Sequence, residues 1–267
     1  SDVHIYDHHK VTSIIHQADQ VQLNINEKRI TTSLLVAADG KFSSIAHLAR
    51  FQARRWSYKQ TAMVATIKTS EKHQLTARQN FTYCGPLAFL PLHHTSQQYC
   101  NIVWSIDNHQ LDNIQQHKDI KRLLSQQAEG SLGDITDIQD IDYFPLSQHH
   151  YRNYTKQNII LIGDAAHSIH PLAGQGANLG FSDCQALIKQ MQFALNKNIA
   201  INHHTLLNRY NRQRQKDNLT MMAAMECFKR GFSNNTSFIS LLRGQAFNFT
   251  NKQPRLKKII LKKALGF

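Results

Sequence analysis

The stretch from Ile159 to Gly180, IILIGDAAHSIHPLAGQGANLG, constrains this chain more than any other. Its apolar opening, Ile159 to Ile162, reads as a short buried strand. Gly163 and Asp164 end that strand. Pro171, with Gly174, Gly176 and Gly180, then makes a loop in which backbone can approach a ligand closely. From Gln175 onward Leu179, Leu187, Met191 and Ala194 fall at helical spacing. The order is therefore strand, acidic turn, glycine-rich loop, helix. Such an order sets a carboxylate at a strand end, where it can accept hydrogen bonds from hydroxyls. It also aims the unpaired N–H groups of a helix start at an electron-rich group. The glycines do not match a plain dinucleotide fingerprint: G-x-G-x-x-G has to follow a strand directly, and position 179 is leucine.

Gly163-Asp164-Ala165-Ala166-His167, followed by Pro171-x-x-Gly174-Gln175-Gly176-Ala177-Asn178, resembles the second flavin-binding motif of the FAD-dependent aromatic hydroxylases, the p-hydroxybenzoate hydroxylase class. The form with His170 before Pro171 is similar to the ubiquinone-biosynthesis hydroxylases of that class, the 2-polyprenyl-6-methoxyphenol hydroxylase type. The resemblance implies that Asp164, with Gly163, holds the ribityl chain of FAD. It implies that Pro171, Gly174, Gln175, Gly176, Ala177 and Asn178 lie against the flavin ring. His167 and His170 fall near the flavin by the same resemblance, with structural hydrogen bonding as their expected work.

A second motif lies earlier. Residues 11–15, 21–25 and 30–36 read as three short strands separated by polar turns. The last runs into Ala38-Asp39-Gly40-x-x-Ser43, which resembles the Asp-Gly motif of the same hydroxylases. That class keeps the motif near the FAD pyrophosphate and the path of the nicotinamide cofactor, which implies cofactor contacts through Asp39 and Gly40. The family pattern carries Arg three residues after the serine. Ala46 stands there instead, and Arg50 is out of register.

Between the motifs the character changes. Residues 61–69, 77–84, 87–92 and 99–106 are β-branched and aromatic runs, which predict a mainly antiparallel sheet. Ile120, Leu123 and Leu124 predict a helix over 114–128, and 135–146 returns as a strand that ends at Pro145. By resemblance this is a substrate-binding domain inserted into the FAD domain. Phe81, Tyr83, Phe89 and Trp104 read either as plain core or as the wall of an apolar substrate pocket.

After the helix that begins at Gln175 and runs to about Leu195, residues 204–232 predict a long amphipathic helix. Leu207, Tyr210, Arg214, Asp217 and Met221 share its helical spacings. Arg209-Tyr210-x-x-Gln213-Arg214-x-x-Asp217-Asn218 is similar to the C-terminal helix of the ubiquinone hydroxylases, and its charged residues read as a solvated face. Residues 254–267 are basic and amphipathic, with Leu256, Ile259 and Ile260 on one side and Lys257, Lys258, Lys262 and Lys263 on much of the other. They read as a helix that docks on its own domain or lies on an anionic membrane surface.

Composition narrows the classes. The chain is 41% hydrophobic over 267 residues, enough for a sizeable core. No apolar run reaches the roughly 20 residues of a membrane-spanning helix, and no signal-peptide pattern opens it. The four cysteines, Cys84, Cys100, Cys184 and Cys227, form no C-x-x-C pair and read as reduced thiols of a cytosolic protein. The sixteen histidines include four doublets but no metal-ligand spacing. The net charge of +13 suggests an acidic partner. Nine Lys or Arg and no Asp or Glu lie between Cys227 and Phe267. No zinc-finger, RNP-like or helix-turn-helix signal points to nucleic acid.

The expected fold class is therefore α/β (α+β): the C-terminal part of a Rossmann-like FAD-binding domain, an inserted antiparallel substrate domain, and C-terminal helices. The expected segments are 1–50 and 151–200 for the FAD domain, 51–150 for the substrate domain and 201–267 for the helices. No G-x-G-x-x-G follows a strand, and only 38 residues precede Asp39. The expectation is of a fragment without the βαβ unit that cradles the ADP half of FAD, binding FAD weakly or not at all and inactive alone. The parent activity implied is hydroxylation of a polyprenyl phenol in ubiquinone biosynthesis, with NADPH or NADH as reductant of FAD and O2 as oxygen source. No residue reads as a general base. The implied setting is cytoplasmic or peripheral at the inner membrane, beside other ubiquinone-biosynthesis proteins. A non-catalytic scaffold in such an assembly is the alternative.

Overall fold

A computed structural model of the chain describes residues 3–26, 28–169, 175–233 and 253. His170, Pro171, Gly174, the side chain of Gln175 and the basic 254–267 segment lie outside the described residues. The chain divides into two compact units, Ser1–Arg55 with Gln148–Phe267, and Trp56–Ser147.

The first unit opens with an antiparallel sheet of β1 (Val11–His16), β2 (Val21–Ile25) and β3 (Lys28–Thr32), in that order. Val21, Leu23 and Ile25 alternate inward, so one face of the sheet is core. The single strand expected over 30–36 is two. The Thr32 hydroxyl donates to the Leu34 carbonyl at 2.9 Å and accepts the Leu34 N–H at 3.3 Å, which turns the chain. Beyond that turn β4 (Leu35–Ala37) joins another sheet, the three-stranded order β10-β11-β4, with β10 at Thr155–Lys156 and β11 at Ile159–Leu161. Helix α1 (Ser44–Leu48) follows β4. Helices α4 (Gln175–Asn196) and α5 (His204–Ser233) complete the unit. Ala37, Ala46, Tyr154, Ile159, Ile160, Leu161, Leu187 and Tyr210 form its core.

The second unit is built on β5 (Ala53–Thr69), β6 (Arg78–Thr82), β7 (Gly85–Pro91), β8 (Tyr99–Asp107) and β9 (Ile135–Tyr151). Its sheet order is β9-β5-β8-β7-β6; β12 (His167–Ser168), which belongs to the first unit, pairs with the part of β9 that also lies in that unit. The boundary between the units falls inside the long strands β5 and β9. The expected helix over 114–128 is in fact α2 (Asn108–Gln115) and α3 (Ile120–Gln127). Asp119 breaks it, because its carboxylate accepts the Arg122 N–H at 3.0 Å and starts a new helix. Pro145 does not end its strand. β12 pairs with β9 at His149 and His150, so among the described residues β9 is an edge at residue 145, where a missing N–H is tolerated. Met63, Ile67, Leu87, Phe89, Ile102, Trp104, Leu124 and Leu132 fill the core of this unit.

Candidate functional site

β4 and β11 run parallel, with Leu35 opposite Ile159, Val36 opposite Ile160 and Ala37 opposite Leu161. The Ile162 N–H extends the pairing to the Ala37 carbonyl at 3.0 Å. Asp39-Gly40 and Gly163-Asp164 therefore leave neighbouring strands at the same end of the sheet. The carboxyl end of parallel strands is where ligands bind, because loop backbone and helix starts converge there.

The Asp39 carboxylate organises its own turn. It accepts from the Ser43 hydroxyl at 2.5 Å, the Ser44 hydroxyl at 3.1 Å and the Ile45 N–H at 3.1 Å. Ser43 in turn caps α1 by accepting the Ala46 N–H at 2.9 Å. Burial by itself would raise the Asp39 pKa, but these donors hold it below the usual carboxylate range. Three of about four acceptor positions on this carboxylate are taken, so it shapes the loop as much as it faces outward.

Gly163 stands in the left-handed region at φ +56° and starts a 3-10 turn over Gly163–Ala165. A Cβ added to Gly180 would lie 3.4 Å from the Gly163 Cα, so the turn and the second turn of α4 pack backbone against backbone. That contact brings the strand end to the start of a helix, where free N–H groups carry partial positive charge. The Asp164 carboxylate is exposed and, among the described residues, has no hydrogen-bond partner. Its carbonyl accepts from His149 Nε2 at 2.9 Å. Since a carbonyl only accepts, Nε2 carries the proton, and Nδ1 is the acceptor for the Ser168 hydroxyl at 3.0 Å. Burial pushes the His149 pKa down to about 4, so the ring is neutral at pH 7.

Beneath the turn sits a charged cluster. Asp183 of α4 has 0% of its surface exposed. It accepts the Gly163 N–H at 2.8 Å, His167 Nε2 at 2.7 Å and Arg214 Nε at 2.6 Å. Arg214 of α5 also donates to Asp217 and Asn218, each at 2.9 Å, and to the Leu179 carbonyl at 3.4 Å. The Asn218 amide donates to the Tyr154 hydroxyl at 3.2 Å, and that hydroxyl donates to His150 Nδ1 at 2.9 Å. Burial alone would raise the Asp183 pKa; its bonds to His167 and Arg214 outweigh that and hold it low. Burial pushes the Tyr154 phenol up, so it remains a hydrogen-bond donor. Tyr210 ties α5 to β11 through the Leu161 carbonyl at 3.1 Å. One buried carboxylate thus fixes the strand-end turn, α4 and α5 together.

The family model described as FAD binding domain matches residues 1–224. The chain belongs to the FAD binding domain family. Its similar proteins include 3-demethoxyubiquinol 3-hydroxylase of Escherichia coli (strain K12), 32% identical over 239 residues, covering 89% of this chain and 60% of the relative. Mitochondrial ubiquinone biosynthesis monooxygenase COQ6 of Danio rerio is 34% identical over 275 residues, covering 88% of this chain and 56% of the relative. The chain therefore spans less than two thirds of the length of these relatives. Among solved structures, p-nitrophenol 4-monooxygenase PnpA of Pseudomonas putida DLL-E4 superimposes with a TM-score of 0.75 at 16% identity, covering 97% of this chain and 66% of that one. At that identity the likeness is one of fold.

In this FAD binding domain chain the four residues expected at the strand ends, Asp39, Gly40, Gly163 and Asp164, share one end of the parallel pair. Gln175 begins α4 as expected, with Gly176, Ala177 and Asn178 in its first turn. Ala177 and Asn178 are exposed, and a Cβ on Gly176 would meet nothing within 4 Å among the described residues, so this part of the first turn is uncovered by them. Two expectations change. Arg214 and Asn218 are not on a solvated face: they are 4% and 0% exposed, Arg214 holds Asp183 because a buried carboxylate needs a partner, and Asn218 accepts from Arg214 in turn. Of the aromatic set, Phe89 and Trp104 are core of the second unit, whereas Phe81 and Tyr83 are 43% and 81% exposed. Asp183 was missed. The signal was present: it shares a helical stripe with Leu179, Ala186, Leu187 and Ala194, all buried, as Arg214 does with Leu207 and Tyr210.

Proposed function

We propose that this chain carries the ribityl-and-ring half of the FAD site of an aromatic hydroxylase that acts on a polyprenyl phenol in ubiquinone biosynthesis. The observation that supports it is the exposed Asp164 carboxylate, without a hydrogen-bond partner among the described residues, beside the exposed first turn of α4 and on a turn that Asp183 holds from below. These features fit the polyol and ring end of a flavin. Asp164 accepts hydrogen bonds from ribityl hydroxyls. Gly176, Ala177 and Asn178 let the ring approach, and the amides of the α4 start favour electron density on it. Pro171, Gly174 and Gln175 belong to the same loop by sequence. Asp39 and Gly40 shape the neighbouring turn toward the phosphates.

Bound FAD, reduced by NADPH or NADH, supplies the redox chemistry by which one atom of O2 reaches the phenol ring. The chain's own work is to bind, to orient and to exclude water. His149 is neutral and its proton is committed to the Asp164 carbonyl, so it positions the turn rather than acting as a base. Trp56–Ser147 is the substrate unit in this reading, and the basic 254–267 segment meets an anionic membrane surface from which a polyprenylated substrate comes. In this reading the protein works in the cytoplasm, peripheral to the inner membrane, within reach of other ubiquinone-biosynthesis proteins. Among the described residues no helix is long and apolar enough to cross a membrane.

The test is titration of the 267-residue chain with FAD, followed by flavin fluorescence. No strand in these residues leads into G-x-G-x-x-G, so the expected binding is weak but saturable. Asp164→Ala should weaken it about tenfold or more, the scale of a hydrogen bond to a charged group. Its unfolding free energy should stay within about 0.5 kcal/mol of the parent, as for an exposed side chain. Equal affinity in the two proteins would sink the reading.

A further inference from the structure

A concave feature lies at the end of β11 opposite the Asp164 turn. It is a cavity of about 290 Å³ formed by the turn that follows α1 and the segment that leads into β10 and β11. Arg50, Arg152 and Lys156 line it together with Gln52, Asn153 and Thr155, and no Asp or Glu is among its lining residues. Lys156 pairs across β10–β11 with Ile159, the first residue of β11, whereas Asp164 follows the last. This cavity is therefore not part of the proposed flavin site.

We propose that this cavity binds a phosphate group, as a soluble phosphate or diphosphate or as a phospholipid headgroup. The rim is already held in place. Lys156 Nζ donates to the Ala49 and Arg50 carbonyls at 2.8 and 3.2 Å, which closes the C-terminus of α1 and leaves one of its three N–H donors free. The Arg152 N–H donates to the Gln52 carbonyl at 2.9 Å, and its guanidinium reaches Gln52 Oε1 at 3.4 Å, which ties the two walls together. Arg50 stands in the left-handed region at φ +54°, a conformation that costs a non-glycine residue strain, and its N–H donates to the His47 carbonyl at 2.9 Å. Among the described residues the Arg50 guanidinium, the Asn153 amide and the Thr155 hydroxyl have no hydrogen-bond partner.

Three cations around one cavity repel each other unless an anion joins them. Guanidinium groups suit phosphate because their planar fork matches its oxygens. The field of Lys156 is felt nearby: after burial, it is the further cause that lowers the pKa of His16.

The test uses the 267-residue chain without flavin, so it stands or fails independently of the proposed function. Calorimetric titration with inorganic pyrophosphate should give saturable binding that sodium chloride at matched ionic strength does not. The double variant Arg50→Gln/Arg152→Gln should bind about tenfold more weakly or worse. Both side chains are exposed, so an unchanged far-ultraviolet spectrum and unfolding midpoint are expected. Lack of saturable binding by the parent chain, or equal affinity in the double variant, overturns the proposal. Flotation with phosphatidic acid vesicles, against phosphatidylcholine alone, separates the sources. Vesicle binding that needs the arginine pair assigns the headgroup; pyrophosphate binding that needs the pair, with vesicle binding that does not, assigns the soluble phosphate.

Discussion

The two units are held together by different chemistry. The core of Trp56–Ser147 is Met63, Ile67, Leu87, Phe89, Ile102, Trp104, Leu124 and Leu132, apolar side chains whose packing is non-directional. The other unit has an apolar core too, but next to its strand-end turn it buries Asp183, Arg214, Asn218, His149, His150 and His167. Buried polar groups are costly unless every partner is in place. What they add is direction: a carboxylate that accepts from Gly163, His167 and Arg214 at 2.6–2.8 Å defines the position of each. An apolar core tolerates small shifts of its members, whereas this cluster ties the turn bearing Asp164 to two helices through a single atom set. A site that has to present one carboxylate to a ligand needs the second kind of support.

The contrast can be broken most sharply at Asp183. Asp183→Ala takes the buried acceptor from Arg214 Nε, His167 Nε2 and the Gly163 N–H and leaves the guanidinium only the half-exposed Asp217 carboxylate, and should cost about 3–5 kcal/mol in urea unfolding. It should also abolish saturable FAD binding. A variant as stable as the parent would mean that the cluster carries no weight. In the apolar unit Leu124→Ala should cost about 2–5 kcal/mol through the cavity left behind. FAD affinity should be untouched at a denaturant-free temperature well below unfolding. If affinity falls with it, the two cores are not separable in function.

Acid sharpens the contrast further. The folded pKa of His149 is about 4 against an ordinary 6.5, so between those values the unfolded chain binds more protons and stability rises with pH. Lowering the pH from above 6.5 to 4 should remove on the order of 3 kcal/mol. His150, whose pKa burial also lowers, acts in the same direction. Asp183, held low, loses its contribution as the pH falls further, from the usual carboxylate range downward. Unfolding midpoints measured across this range should show the acid loss shrink in His149→Gln. The smallest effect expected is at Gly163→Ala. Among the described residues the added Cβ meets only the Gly180 Cα at 3.8 Å, an ordinary contact, so the cost is the left-handed backbone at φ +56°, about 1–2 kcal/mol.

Much of this architecture was legible beforehand where periodicity and punctuation agree. The helix expected from Gln175 to about Leu195 is Gln175–Asn196, and that expected over 204–232 is His204–Ser233. Errors fell where a single polar side chain redirects the backbone: Thr32 split one strand and Asp119 split one helix. Pro145 misled for a different reason, since its cost depends on whether a neighbouring strand needs its N–H, and pairing partners are not visible in a linear pattern.

The order of residues alone determined the two acidic turns, the helix starts and the apolar stripes, because each depends on neighbours within a few positions along the chain. Only tertiary structure decided that Leu35–Ala37 and Ile159–Leu161 lie parallel, so that Asp39 and Asp164, far apart in sequence, leave the same sheet end. It alone decided that Asp183 and Arg214 meet. A buried charge on one helix states only that it needs a partner; which partner answers depends on how the helices pack, and packing is a property of the folded chain as a whole.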